Sequence, residues 1–293
     1  MTSFGSRLRA AVAERGQLCV GIDPHEALLR DWGLTFDAAG VREFGLRVVD
    51  AAAGRVAVVK PQVSFFERWG SAGFAVLEEV MATARAAGLI VIADAKRGDI
   101  GTTMDAYAAA WLAPGAPLEA DAVTLSPYLG FDTLRGAIGV AAQAGKGVFV
   151  LAATSNPEAR RVQGAELEVR DADDDDARQR HRQSVADLNC RAAGAANRRA
   201  HDAGEWGSTG VVIGATLDRA QLRIHDEGLD ATPILAPGFG AQGARLEDAR
   251  SLFGGLTPRV LASASRSILS AGPQGIAGAI DIHNRQLQEG IHG

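Results

Sequence analysis

Short apolar runs recur along this chain, and most of them end in polar residues. They are QLCVGIDP (17–24), RVAVVKP (55–61), LIVIA (89–93), DAVTLSP (121–127), GVFVLAATSNP (147–157), STGVVIGA (208–215), TPILAPGFGAQGA (232–244) and PRVLASASRSIL (258–269). Each is short and apolar, so each reads as a buried strand. A helix over 4–15 precedes the first run. Helical segments follow at 37–53, 71–87, 103–112, 131–144, 178–203, 217–228, 246–252 and 274–289. Strand and helix in strict alternation predict a parallel sheet with crossover helices. Eight such units in about 250 residues predict a (β/α)8 barrel, here a single domain over 1–293. A doubly wound open sheet is the competing architecture. Two features favour the barrel. Asp23, Lys60, Asp94, Ser155, Gln242 and Arg266 fall at or just beyond the C-terminal ends of different strands, which in a barrel converge on one pocket. No GxGxxG opens a helix after the first strand, as a dinucleotide fold would require. The repeat is interrupted once, by an insertion over 158–205. Its acidic run DADDDD (171–176) predicts a solvated loop, and the long helix 178–203 follows.

The chemistry concentrates in LIVIADAKRGDIGTT, residues 89–103. Asp94 and Lys96 are two apart and share a face if the strand continues. Asp99 is an odd step away, so the chain must turn before Asp99 can join them; Gly98 and Gly101 permit that turn. Thr102 with Asp105 fits a helix start. An unpaired buried charge is costly, so a lysine on a buried strand faces a partner or a ligand. Two carboxylates beside one lysine hold it protonated, ready to donate. At the other end of the chain, Gly238, Gly240 and Gly243 surround Gln242, and Arg266 follows the next strand. Glycine loops bring backbone N–H groups to anions, and arginine offers a fork for phosphate oxygens. Barrels often hold a phosphate between the loops after strands seven and eight.

Composition narrows the partners. Thirty basic against 35 acidic residues leave a formal charge of −5, which does not suit a nucleic-acid surface. No apolar run reaches the roughly 18 residues of a membrane span, and no signal-peptide core opens the chain. Cys19 and Cys190 are far apart, with Cys19 inside an apolar run; a disulfide is not expected, and a reducing, cytoplasmic setting fits. The histidines form no metal-ligand spacing.

Taken in order, VGIDP, VVKP, DAKRGDIGTT, ATSNP, APGFGAQG and ASRSI resemble the orotidine 5′-phosphate decarboxylase family, in its longer bacterial branch, and the resemblance spans nearly the whole chain. It implies decarboxylation of orotidine 5′-phosphate to UMP in pyrimidine synthesis, without metal or organic cofactor. Lys96 would protonate C6 of the pyrimidine. Asp94 would lie beside the substrate carboxylate and hold Lys96. Lys60 and Asp23 would bind the ribose hydroxyls, and Ser155, beside Thr154 and Asn156, the pyrimidine amide. Gln242 and Arg266, with Gly240 and Ser265 around them, would take the 5′-phosphate. Asp99, Ile100 and Thr103 would reach into the neighbouring subunit of a homodimer.

Other chemistries use similar parts. A Mg2+-dependent sugar-phosphate lyase would want a further acidic ligand near the second strand, where this chain has Lys60. A Schiff-base aldolase wants a neutral lysine, the opposite of one held between carboxylates. A barrel that only binds phosphate esters would keep Arg266 and the glycine loop but would not need the charges at 94–99.

Overall fold

A computed structural model describes residues 2–170 and 180–292. The acidic run lies outside the described residues. Eight parallel strands close into a barrel: β1 (Leu18–Ile22), β2 (Val58–Pro61), β3 (Ile90–Arg97), β4 (Ala122–Leu125), β5 (Gly147–Ala153), then, after an excursion described below, β8 (Thr209–Ile213), β9 (Ile234–Pro237) and β10 (Val260–Ala264). Each strand pairs with its chain neighbour, and β10 closes on β1 with Leu18 opposite Ala262.

The strand alternation divides the apolar residues into two layers. Leu18, Val20, Val59, Val91, Val123, Val150, Val211, Ile234 and Val260 face the surrounding helices. Cys19, Val58, Ile90, Ile92, Ala122, Phe149, Val212, Leu235 and Leu261 form a second cluster inside the barrel. The helix Phe4–Arg15, capped by Ser3 accepting from the Ser6 N–H at 3.1 Å, plugs the N-terminal mouth. Phe4 meets Phe149 edge to face, with ring centroids 6.1 Å apart. Gly147 makes that seat possible, since a Cβ there would run into the Phe4 ring.

Several elements differ from expectation. Residues 217–228 form turns rather than a helix. Ser184 Oγ donates to the Leu222 carbonyl at 2.6 Å, and the His225 N–H donates to Asp187 Oδ1 at 2.9 Å. These tertiary partners occupy backbone groups that a helix would have used. The long helix at 178–203 is shorter: it runs from Val185 to Ala196, capped by Ser184, with a further turn at Arg198–Asp202. At the break, Asn197 turns its buried amide to Thr209 and Thr232. Within the insertion, β6 (Glu166–Arg170) and β7 (Arg180–Ser184) pair antiparallel, Glu166 opposite Ser184, where a loop and the start of that helix were expected. Their sequences are mostly polar, so the apolar pattern gave no strand signal. The eighth strand stops at Ala264, and Arg266–Leu269 is a helical turn. Thr102 and Asp105 form no capping box: the helix Gly101–Leu112 starts after Ile100 with no side-chain cap. Both cysteines are buried and free. Among the described residues no helix is long and apolar enough to cross a membrane.

Candidate active site

The inward rows that are apolar through the barrel turn polar at their C-terminal ends. On β3 the inner residues run Ile90, Ile92, Asp94, and Lys96 follows. On β2 Val58 gives way to Lys60, on β4 Ala122 to Thr124, and on β10 Leu261 to Ser263. These polar ends line a cleft of about 440 Å³, a size suited to a nucleotide-sized ligand.

At its floor Asp94 gathers three donors. Lys60 Nζ lies 3.0 Å from Oδ2, Lys96 Nζ 2.6 Å from Oδ1, and Thr124 Oγ1 donates to Oδ1 at 2.9 Å. The two lysines differ in access: the Lys60 side chain is 8% exposed, that of Lys96 45%. Lys60 is the buried clamp, and Lys96 is the ammonium that a bound molecule can reach. Burial alone would push the Asp94 carboxyl upward, but Lys60 and Lys96 override it and hold it well below the usual carboxylate range. Burial would likewise lower Lys60, and the Asp94 and Asp23 carboxylates hold it above its ordinary value instead.

Lys96 has a positive φ of 48°, a region that non-glycine residues rarely adopt. The ladder between β3 and β4 is irregular here. From Ala93 to Arg97 β3 advances four residues while β4 advances only two, from Val123 to Leu125. This bulge places Lys96 beside Asp94 at the mouth.

Asp23 stands at the end of β1, its Oδ2 accepting from Ser265 Oγ at 2.6 Å. Its Oδ1 is buried without a hydrogen-bond partner, an acceptor open to a ligand hydroxyl. Around the rim lie Thr154, Ser155, Asn156, Gln242 and Arg266. Arg266 is exposed, and no carboxylate neutralises it among the described residues. Gly238, Phe239 and Ala241 also line this side. Gly240 shapes the loop from behind: its N–H donates to the Ala244 carbonyl at 2.8 Å, and its carbonyl accepts from Gly243 at 2.9 Å.

A profile of the orotidine 5′-phosphate decarboxylase / HUMPS family matches residues 16–277. The chain belongs to this family. An orotidine 5′-phosphate decarboxylase of Streptomyces coelicolor is 50% identical over 275 residues, covering 93% of this chain and 92% of its own length. That of Salinispora tropica is 49% identical over 283 residues, covering 96% and 95%. A crystal structure of a Streptomyces avermitilis protein, described provisionally as the same decarboxylase, superposes with a TM-score of 0.88 at 44% identity, covering 100% of this chain and 97% of that one.

Of the residues expected to form the family's site, Asp23, Lys60, Asp94, Lys96, Ser155, Gln242, Ser265 and Arg266 share the one cleft. Asp99, Ile100 and Thr103 are not in it. Asp99 Oδ1 instead accepts from the Ile100 N–H at 2.8 Å, so within one chain Asp99 does not join the array at Lys96. The turn through Gly98 carries it away. Reading only strand ends missed Thr124, which sits one turn of the alternation inside DAVTLSP. It also missed His25 and Gln62, which follow the first two strands and line the same cleft. The alternation itself was the available signal for Thr124, since it puts that residue on the face of Ala122.

Proposed function

We propose that this protein decarboxylates orotidine 5′-phosphate to UMP, without a metal, and that Lys96 protonates the carbon that CO2 leaves. The observation that carries this reading is the Lys60–Asp94–Lys96 array at the floor of a cleft whose rim bears Arg266, exposed and without a carboxylate partner among the described residues. Breaking the C6–carboxylate bond leaves the electron pair on C6, with no ordinary electron sink. An ammonium fixed nearby stabilises that charge without reorganising, then transfers its proton to C6. The neutral lysine regains a proton from solvent, so the balance is orotidine 5′-phosphate plus one proton to UMP plus CO2. Asp94 keeps Lys96 aimed at the cleft, and Lys60 keeps Asp94 charged. The open acceptor on Asp23 suits a ribose hydroxyl, and Arg266 with Gln242 suits the phosphate. Binding energy from those remote groups is available to the reacting centre.

The donor set supports the metal-free reading over the Mg2+-dependent alternative. Asp94 already has two ammonium groups against it, which repel a divalent cation. Asp99, Ile100 and Thr103 fit a role in a partner's site. Ile100 is 59% exposed, and Tyr128 and Leu129 on the adjacent loop after β4 are exposed as well. Exposed apolar side chains on loops that follow two neighbouring barrel strands suit a second copy of the chain, and we read the protein as a homodimer with shared sites. We also read it as one barrel domain carrying the insertion at 158–205, and as cytoplasmic.

The test is the ultraviolet change of orotidine 5′-phosphate on mixing with purified protein in EDTA, with Lys96→Ala in parallel. Loss of the substrate band with wild type, and its persistence with folded Lys96→Ala, is the expected result. Turnover that requires added Mg2+, or survives the loss of Lys96, would overturn the mechanism.

A further inference from the structure

We propose that Thr124 is a positioning residue for the reaction, holding the Lys96 ammonium and the Asp94 carboxylate in their working arrangement. This rests on the decarboxylase reading above. Thr124 is buried on β4, and its hydroxyl bridges both partners at once. It donates to Asp94 Oδ1 at 2.9 Å and accepts from the Lys96 backbone N–H at 2.8 Å.

Both bonds fall at the bulge, where β3 runs two residues ahead of β4. On either side the backbone ladder is intact. The Asp121 N–H donates to the Val91 carbonyl at 3.0 Å, and the Ser126 N–H to the Arg97 carbonyl at 2.7 Å. Between them the Lys96 N–H is bound by the Thr124 side chain instead. The hydroxyl replaces a ladder bond that the bulge removes, at the residue whose backbone is left-handed. Such a conformation persists only where the surroundings enforce it.

The second bond fixes the carboxylate. Asp94 Oδ2 is taken by Lys60, and Oδ1 is shared by Lys96 and Thr124. With a donor on each oxygen the carboxylate plane cannot turn freely. Without Thr124, Oδ1 is held only by the flexible Lys96 side chain, whose own backbone has lost its restraint. A donor that must meet a transient carbanion is sensitive to small displacements.

The test compares Thr124→Val and Thr124→Ser in the full chain. Valine keeps the shape and removes both bonds, and serine keeps the hydroxyl. For Thr124→Val, kcat should fall on the order of 100-fold. Its KM and its Kd for UMP should change little, because ribose and phosphate contacts lie elsewhere. Thr124→Ser should recover most of kcat. A Thr124→Val protein with wild-type kcat would overturn the proposal. So would joint loss of kcat, UMP binding and thermal stability that serine does not rescue, since that marks a merely structural residue. If wild type itself fails to turn over orotidine 5′-phosphate, the decarboxylase reading fails. The crystal structure of Thr124→Val then still decides the geometry. An unchanged Lys96–Asp94 contact counts against the proposal, and a displaced ammonium supports it.

Discussion

At the floor of the cleft Asp94 accepts from Lys60, Lys96 and Thr124, and that crowding ties stability to pH in a definite direction. Asp94 titrates below its ordinary value when folded, whereas unfolded it titrates near about 3.9. Between those points the unfolded chain binds more protons, so stability rises with pH. The contribution is complete above about pH 4 and is lost as pH falls toward the folded pKa. Lys60 gives the opposite limb. Its pKa is raised on folding, so its contribution is complete below the unfolded value of about 10.4 and is lost as pH climbs through the folded one. Urea denaturation of wild type and Asp94→Asn across the acid range isolates the first limb from other carboxylates such as Glu119, which is held at about 2. The difference in stability between the two proteins should shrink as pH drops below about 4. Curves that stay parallel through that range would show that the lysines do not tune Asp94.

Elements set how far such residues could be found in the chain before it was folded. The barrel strands are legible because strands buried on both faces read as continuous apolar runs. Lys60, Asp94 and Arg266 are legible because charge at the end of such a run has few structural reasons to be there. Thr124 is harder, since an uncharged residue inside a strand looks like any other, and its role depends on a bulge in the neighbouring strand. The turns over 217–228 were hidden for a different reason. Leu217, Ala220 and Ile224 have helical spacing in the sequence, but Ser184 and Asp187, distant in the chain, claim the backbone around them. The loop after β9 shows the same dependence on a distant element. Gly240 has φ +72°, and a Cβ there would run into Ser267 Oγ. Ser267 cannot easily yield, because its Oγ meets His283 Nε2 at 3.1 Å, and His283 is itself tied to the Ala279 carbonyl at 2.8 Å. A side chain in this backbone region costs about 1–2 kcal/mol. Expressed as lost phosphate affinity, that is about tenfold. Gly240→Ala should therefore weaken UMP binding by about that factor while leaving uridine binding unchanged. Equal weakening of both ligands would show that this loop does not serve the phosphate.

For the whole molecule, the role proposed for Asp99 depends on a second copy of the chain. The turn through Gly98 takes it out of its own chain's cleft, and its nearest described partner is the Ile100 N–H. The same turn leaves Ile100 exposed, and it starts beside the loop bearing the exposed Tyr128 and Leu129, where the Ser126 N–H donates to the Arg97 carbonyl at 2.7 Å. If a two-fold dimer forms across this face, each chain's Asp99 serves the other's cleft. Lys96 and Asp99 of one active site would then come from different chains. Mixed dimers test this directly. Lys96→Ala and Asp99→Ala proteins should each be nearly inactive alone. A hybrid of the two concentrates both defects in one site and leaves the other intact. With random exchange of subunits, half of the dimers are hybrids and half of their sites are intact, so about a quarter of wild-type activity should return. A site built from a single chain predicts no recovery, because every cleft then keeps one defect. Full activity in Asp99→Ala alone would remove Asp99 from the mechanism and leave the Lys60–Asp94–Lys96 array to act without a second carboxylate.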